Sequence, residues 1–262
     1  MNSPFPTADF TWSLRMSKDS PDAFFARRDP SGALLGQKNH WLDTIPEHFL
    51  VTTATSERFA AELWQLAKAW GHLPEGEEET LESLAREWEA DLIFLDADSF
   101  TVAGGCVCFP SSWSLAERTG ETLAAVHGVV PQLHEAIGDK IELFLKKLTP
   151  GKAFHRANWG MTRSDELNYH PVLERRKLDA TVSWDELFLR IEHQAFLRVE
   201  LGIVLAVRIE PVALETLRVN HPEVLVNLRR QLATMPDTVA EYKCLDAAIP
   251  RILELIDSRS DR

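Results

Sequence analysis

The chain has 262 residues, 45% of them hydrophobic, with 40 acidic against 28 basic side chains and a formal net charge of −12. A surface this acidic repels phosphate backbones and anionic lipid headgroups, so nucleic acid and membranes are set aside as partners. No apolar run approaches the roughly 20 residues needed to span a bilayer.

Residues 1–50 carry Pro4, Pro6, Pro21 and Pro30, which interrupt any long element, and Phe5, Phe10, Trp12, Phe24, Phe25 and Trp41, which can anchor the segment on a core. A helical period follows from Ser56 to Trp70, with Phe59, Leu63, Leu66, Ala67 and Trp70 on one face and Ser56 as its candidate cap. Gly71–Glu79 reads as an acidic loop, and Glu79–Glu89 as a second helix. The period then shortens. Asp91–Leu95 and Phe100–Phe109 read as strands, and Gly104-Gly105 suggests a bulge or a close backbone approach. Ser114–Val126 and Gln132–Leu148 look helical. Strand character returns over Ala153–Met161. Leu187–Val199 alternates apolar odd positions with Arg190, Glu192, Gln194 and Arg198, and Ile203–Ile209 fits a hairpin partner. Helices are expected from Pro211 to Asp257.

This order predicts an α+β fold: a PAS-like, five-stranded antiparallel sheet with flanking helices and helical N- and C-terminal extensions. One domain is expected over 1–262, with an N-terminal wrap and helices in 1–90, the sheet core in 91–210 and terminal helices in 211–262. Cys106, Cys108 and Cys244 are too few for a disulfide framework, and the N-terminus lacks a basic segment leading into an apolar one. The expected address is therefore the cytoplasm.

Familiar catalytic signatures are missing. No dinucleotide-binding or phosphate-binding glycine loop occurs, and no Gly-x-Ser-x-Gly elbow. His134-Glu135 opens like a zinc-protease helix, but Gly138 stands where the second histidine belongs. Cys106 and Cys108 fit small core residues. Among the histidines, His40, His48, His72 and His221 sit in loop-rich or exposed contexts. His127 follows Leu123-Ala124-Ala125-Val126, and a neutral imidazole in such apolar surroundings suits either an axial haem ligand or a hydrogen-bonded core histidine. Arg156 and Asn158 share one strand face, and Arg190, Glu192 and Gln194 share another. Such rows face solvent or line a polar cavity.

Five blocks, in order, resemble a known family. They are Cys108-Phe109-Pro110-Ser111-Ser112-Trp113-Ser114-Leu115 with Glu117-Arg118-Thr119-Gly120; Val126-His127-Gly128-Val129-Val130-Pro131; Arg156-Ala157-Asn158-Trp159; Leu189 to Arg198; and Met235-Pro236 with Tyr242-Lys243. The chain resembles the haem-dependent oxidative N-demethylase alpha subunits from about Asp29 to its C-terminus. The resemblance implies a PAS-like domain holding haem b. It implies oxygen-dependent oxidation of a small secondary amine such as dimethylamine, with release of formaldehyde. It further implies electrons from NADPH through separate flavin and iron–sulfur subunits, and three cysteines are too few for a [2Fe–2S] centre within this chain. His193 departs from the family's usual basic residue, and Val199-Glu200-Leu201-Gly202 replaces a segment that usually carries a proline.

On this basis His127 is expected to ligate the haem iron, with His170 as second choice. Arg156, Asn158 and Arg198 are expected at the cofactor, and Arg156 and Arg190 in one pocket, one on propionates and the other distal. An amine cation needs an acceptor, for which Glu166 and Glu192 are the candidates. The alternative is a non-catalytic haem-binding sensor, or a ligand-binding or interaction module on the same scaffold.

Overall fold

A computed structural model describes residues 4–5, 9–72 and 79–260. The elements run β1 (Ser17–Asp19), α1 (Pro21–Phe25), α2 (Ala33–Thr44), β2 (Leu50–Val51), α3 (Ala54–Ala69), α4 (Leu81–Glu87), β3 (Asp91–Asp96) and β4 (Val102–Cys106). There follow α5 (Leu115–Arg118), α6 (Leu123–Gly128), α7 (Asp139–Lys147), β5 (Ala153–Thr162), β6 (Phe188–Arg198) and β7 (Gly202–Ala213). The chain ends in α8 (Leu214–Asn220), α9 (Pro222–Ala233), α10 (Asp237–Tyr242) and α11 (Ile249–Ser260).

All five expected strands form, but the sheet has seven strands, in the order β1-β5-β6-β7-β3-β4-β2, every pairing antiparallel. The two additions are edge strands of three and two residues. Neither is long enough to show an alternating pattern, so hydrophobic periodicity could not reveal them. Gly104 and Gly105 have φ of +122° and +145°. A Cβ on Gly105 would lie 2.1 Å from the Leu92 carbonyl oxygen, so here the backbones do approach closely.

Helix starts follow capping chemistry. Thr53, not Ser56, caps α3; Ser56 is its reciprocal partner in the capping box. Thr80 and Ser83 repeat the arrangement at α4. The stretch expected as one helix from Ser114 to Val126 is broken: Gly120 takes φ +90° between α5 and α6, and Thr122 caps α6. Gln132–Leu148 is likewise interrupted, with a π-helical turn at His134–Gly138 before α7. The expected acidic loop falls partly at 73–78, outside the described residues.

One sheet face is covered along its length by helices from both ends of the chain. Near β3, Phe59, Leu63 and Trp64 of α3 pack on Leu92, Phe94, Ala195 and Val204. Near β5, Leu225, Leu228 and Ile252 of the terminal helices pack on Trp159, Leu189 and Ile191. The other face carries Ile93, Leu95, Phe154, Phe196 and Ile203 beneath the α5–α7 insertion. Two internal ionic groups brace this frame. Lys38 is fully buried, donating to the Trp88 and Ala90 carbonyls and standing 3.5 Å from Asp91. Asp91 in turn accepts from the amides of Cys108 and Phe109.

Candidate functional site

The strand register builds a polar row. Arg156 lies opposite Gln194, Asn158 opposite Glu192 and Gly160 opposite Arg190. Residues directly opposite share a face, so Arg156, Asn158, Glu192 and Gln194 form one patch. It borders the aromatic end of the insertion, where Phe144 packs edge-on against Phe154 and Phe196 at 5.4 and 5.8 Å. A cavity of about 900 Å³ opens here, with Trp12, Arg156, Asn158, Trp159, Gln194 and Lys243 among its walls. β1 pairs only with Ala153–His155 of β5. Beyond that point the side of the cavity is closed by the N-terminal segment. Phe10 N donates to Thr234 Oγ1 at 2.8 Å, and the Trp12 indole donates to the Pro131 carbonyl at 2.9 Å.

Glu192 organises the patch without itself lining the cavity. It accepts from Ser111 Oγ at 2.5 Å, Asn158 Nδ2 at 3.1 Å and Gln194 Nε2 at 3.3 Å. An amide has two donor hydrogens on nitrogen and a carbonyl acceptor. With both amide nitrogens turned toward Glu192, the amide oxygens of Asn158 and Gln194 are left to accept hydrogen bonds from a guest.

Arg156 presents the opposite imbalance. Its Nε is inaccessible and has no hydrogen-bond partner, and among the described residues no carboxylate lies within 4.0 Å of the guanidinium. Burial lowers its pKa, and the charge of Glu192 only partly offsets that. An uncompensated buried cation is costly unless something anionic joins it. His127 senses that charge. Burial, then the charges of Arg156 and His134, pushes its imidazole down to about 4, so it is neutral at physiological pH. His127 does not line the cavity of Arg156; it lines a second one of about 300 Å³, with Leu123, Leu133, His134, Ile141 and Leu145. Haem would need a neutral nitrogen base for its iron and a guanidinium for its carboxylates, and this chain supplies the two groups from different cavities.

The other expected site residues lie elsewhere. Arg190 does not share a pocket with Arg156. It is 2% exposed, and its guanidinium donates to Ser111 Oγ and to the carbonyls of Phe109 and Leu167, at 2.8–2.9 Å. It clasps two chain segments, because that end of the row is roofed by loop backbone rather than by a cavity. The Glu166 carboxylate is solvent-exposed and paired with Arg175 at 3.0 Å, so it lines neither cavity. Arg198 sits at the turn between β6 and β7, beyond the aromatic end of the row, and also lines neither. His170 is buried, and its Nδ1 accepts from the Val172 amide. Its ring packs on Phe49 at 5.3 Å and His48 at 5.2 Å, and it lines neither cavity. No group of three or more metal-binding side chains occurs among the described residues.

The sequence gives no reason to single out Lys243 as a site residue, although it stands in the C-terminal block. Its Nζ donates to the Trp159 carbonyl at 2.8 Å and lies 5.6 and 5.3 Å from the rings of Trp12 and Trp159. Only the tertiary fold brings residue 243 beside residues 12 and 159, so local spacing held no signal for it.

A search of curated proteins returns no match to this chain. The family model described as haem-dependent oxidative N-demethylase, alpha subunit-like, matches residues 38–253, which takes in the whole sheet except β1, the insertion and the polar row. The chain belongs to the haem-dependent oxidative N-demethylase alpha subunit-like family.

Proposed function

We propose that this chain is the haem-binding subunit of an oxidative N-demethylase that acts on a small secondary amine. The observations that carry the reading are His127, whose imidazole is neutral in its partly buried setting, and Arg156, a partly buried guanidinium with no carboxylate within 4.0 Å among the described residues. His127 would hold the iron and Arg156 would hold a propionate. When bound and reduced, haem supplies oxygen activation. The remaining work falls to side chains. A secondary amine arrives as an ammonium ion, and the oxygens of Asn158 and Gln194 accept its hydrogens. Glu192 is a positioning residue that fixes both amides and adds a negative charge behind them. Trp12 and Trp159 line the cavity with aromatic surface that excludes water, their cation contact being made already by Lys243 Nζ. Haem b and electron delivery from NADPH through flavin and iron–sulfur subunits belong to the same proposal, since this chain has three cysteines and no nucleotide-binding glycine loop.

The test is an absorption spectrum of protein from haem-replete cells, alongside His127→Ala. A haem band in the wild type that is lost or strongly altered in the variant supports the assignment. Reduced, haem-loaded protein is then given dimethylamine, oxygen and a reductase. Haem that binds and reduces, yet gives no formaldehyde with any small N-methyl amine, would turn the reading to a non-catalytic haem module.

A further inference from the structure

Lys243 occupies a position that the proposed chemistry does not use. It lines the same cavity as Asn158 and Arg156. Its Nζ has one hydrogen-bond acceptor, the Trp159 carbonyl, and two indole faces around it. Among the described residues no carboxylate lies within 4.0 Å of it. The contrast with Lys38 is instructive: that ammonium is fully buried, where Lys243 is partly so, and it is held by two carbonyls and Asp91. A cation with a single acceptor in a desolvated place gives up its proton readily. With one N–H still donating to Trp159, the lone pair of the neutral amine is free to face the cavity.

We infer that Lys243 is a nucleophilic amine that reversibly captures a small aldehyde in this cavity, formaldehyde being the first candidate. The inference rests on the N-demethylase reading for the source of the aldehyde, but not for the reactivity of the lysine. The Nζ lone pair attacks the carbonyl carbon, a C–N bond forms, and the C=O π pair moves to oxygen, which takes the proton lost from nitrogen. The carbinolamine then expels water to give the imine, with no change of oxidation level and no further reactant. Hydrolysis returns both partners. Such capture would keep a diffusible electrophile from reacting at other side chains of the protein.

Burial brings the amine down to about 8. At about pH 7.5 roughly a quarter of it is then neutral, against about 0.1% of an ordinary lysine. Nucleophilicity falls with basicity at roughly half the slope, if amines follow the trend of thiols, which leaves about a tenfold advantage in rate.

The experiment treats the full chain, without amine substrate, with a limiting amount of isotope-labelled formaldehyde, followed by cyanoborohydride. Peptide mapping then follows methylation at Lys243 and at the exposed Lys140, Lys147 and Lys152. Lys243 should be labelled about tenfold faster than those three at about pH 7.5, and the order should reverse near pH 10, where a free amine is no longer scarce on any lysine. Lys243→Arg, which keeps the charge, should remove the fast phase. If Lys243 stays unlabelled while the exposed lysines react, or reacts no faster than they do, the inference is wrong. Because formaldehyde is added directly, failure of the demethylase reading would show separately, as absence of formaldehyde from amine turnover.

Discussion

Arg190 and Arg156 are both largely buried arginines on the same sheet face, yet removing them should have opposite consequences. Arg190→Met leaves the carbonyls of Phe109 and Leu167 without their donor, inside a site that is 2% exposed. It also removes the donor to Ser111 Oγ, which itself donates to Glu192. Each orphaned buried acceptor costs about 1–3 kcal/mol, so the total should be about 3–4 kcal/mol. For a chain of this size that lowers Tm by roughly 10 °C. Arg156→Met, by contrast, removes a desolvated charge whose Nε bonds to nothing. It should change stability by less than about 1 kcal/mol, in the stabilising direction, because methionine fills the space without a buried charge. Urea denaturation and thermal scans of both variants, without added haem, make the comparison. Equal losses, or a larger loss for Arg156→Met, would refute the division into a structural clasp and a ligand-facing cation.

Three further outcomes are expected. The native His127 pKa of about 4 lies below the ordinary imidazole value of 6.5. The unfolded chain therefore binds the extra proton first: stability from this residue is complete above about pH 6.5 and is lost as pH falls toward 4, by about 2 kcal/mol once partial exposure is discounted. His127→Gln should flatten that part of the pH–stability curve, and haem titrations of the wild type should weaken over the same window. Glu186 is held at about 2, chiefly by its bidentate bonds from Arg163. That contribution is complete above about pH 4.5 and lost as pH falls toward 2, so the stability difference between wild type and Arg163→Met, read by thermal scans, should narrow in that range. Gly105→Ala would place a Cβ 2.1 Å from a backbone oxygen at φ +145° and should cost about 4 kcal/mol or more, visible as loss of soluble protein.

The parts of the fold that the sequence made legible are those governed by local patterning. The alternation through Leu187–Val199 became the eleven-residue β6, and Gly104-Gly105 became a true close approach. Short edge strands and the breaks in the insertion were not legible, because each turns on one or two residues, such as Gly120 and Gln132 with positive φ. In the site, alternation placed Arg156 with Asn158 and Arg190 with Glu192, and the register joins the two rows. It could not say where along the row the cavity ends. Arg190 lies under loop backbone and Asn158 faces the cavity, although the two positions are neighbours. Closeness in sequence to the Arg-x-Asn-Trp block points to Glu166, but its carboxylate pairs with Arg175 at the surface. Glu192 was selected as an acceptor for the amine. Its three donors, from residues 111, 158 and 194, show it to be a hub whose influence passes through amides.

The helix that carries His127 has six residues, no fully buried side chain and a single side-chain cap from Thr122. The strands beneath it run ten to twelve residues, and the central one, β6, is paired on both sides over almost its whole length. Rigidity is therefore distributed unevenly: the sheet is stiff and α6 beside it is held by fewer contacts. A guest gripped by His127 would spend part of its binding energy on holding α6 still, so its affinity would fall short of what its contacts alone would give.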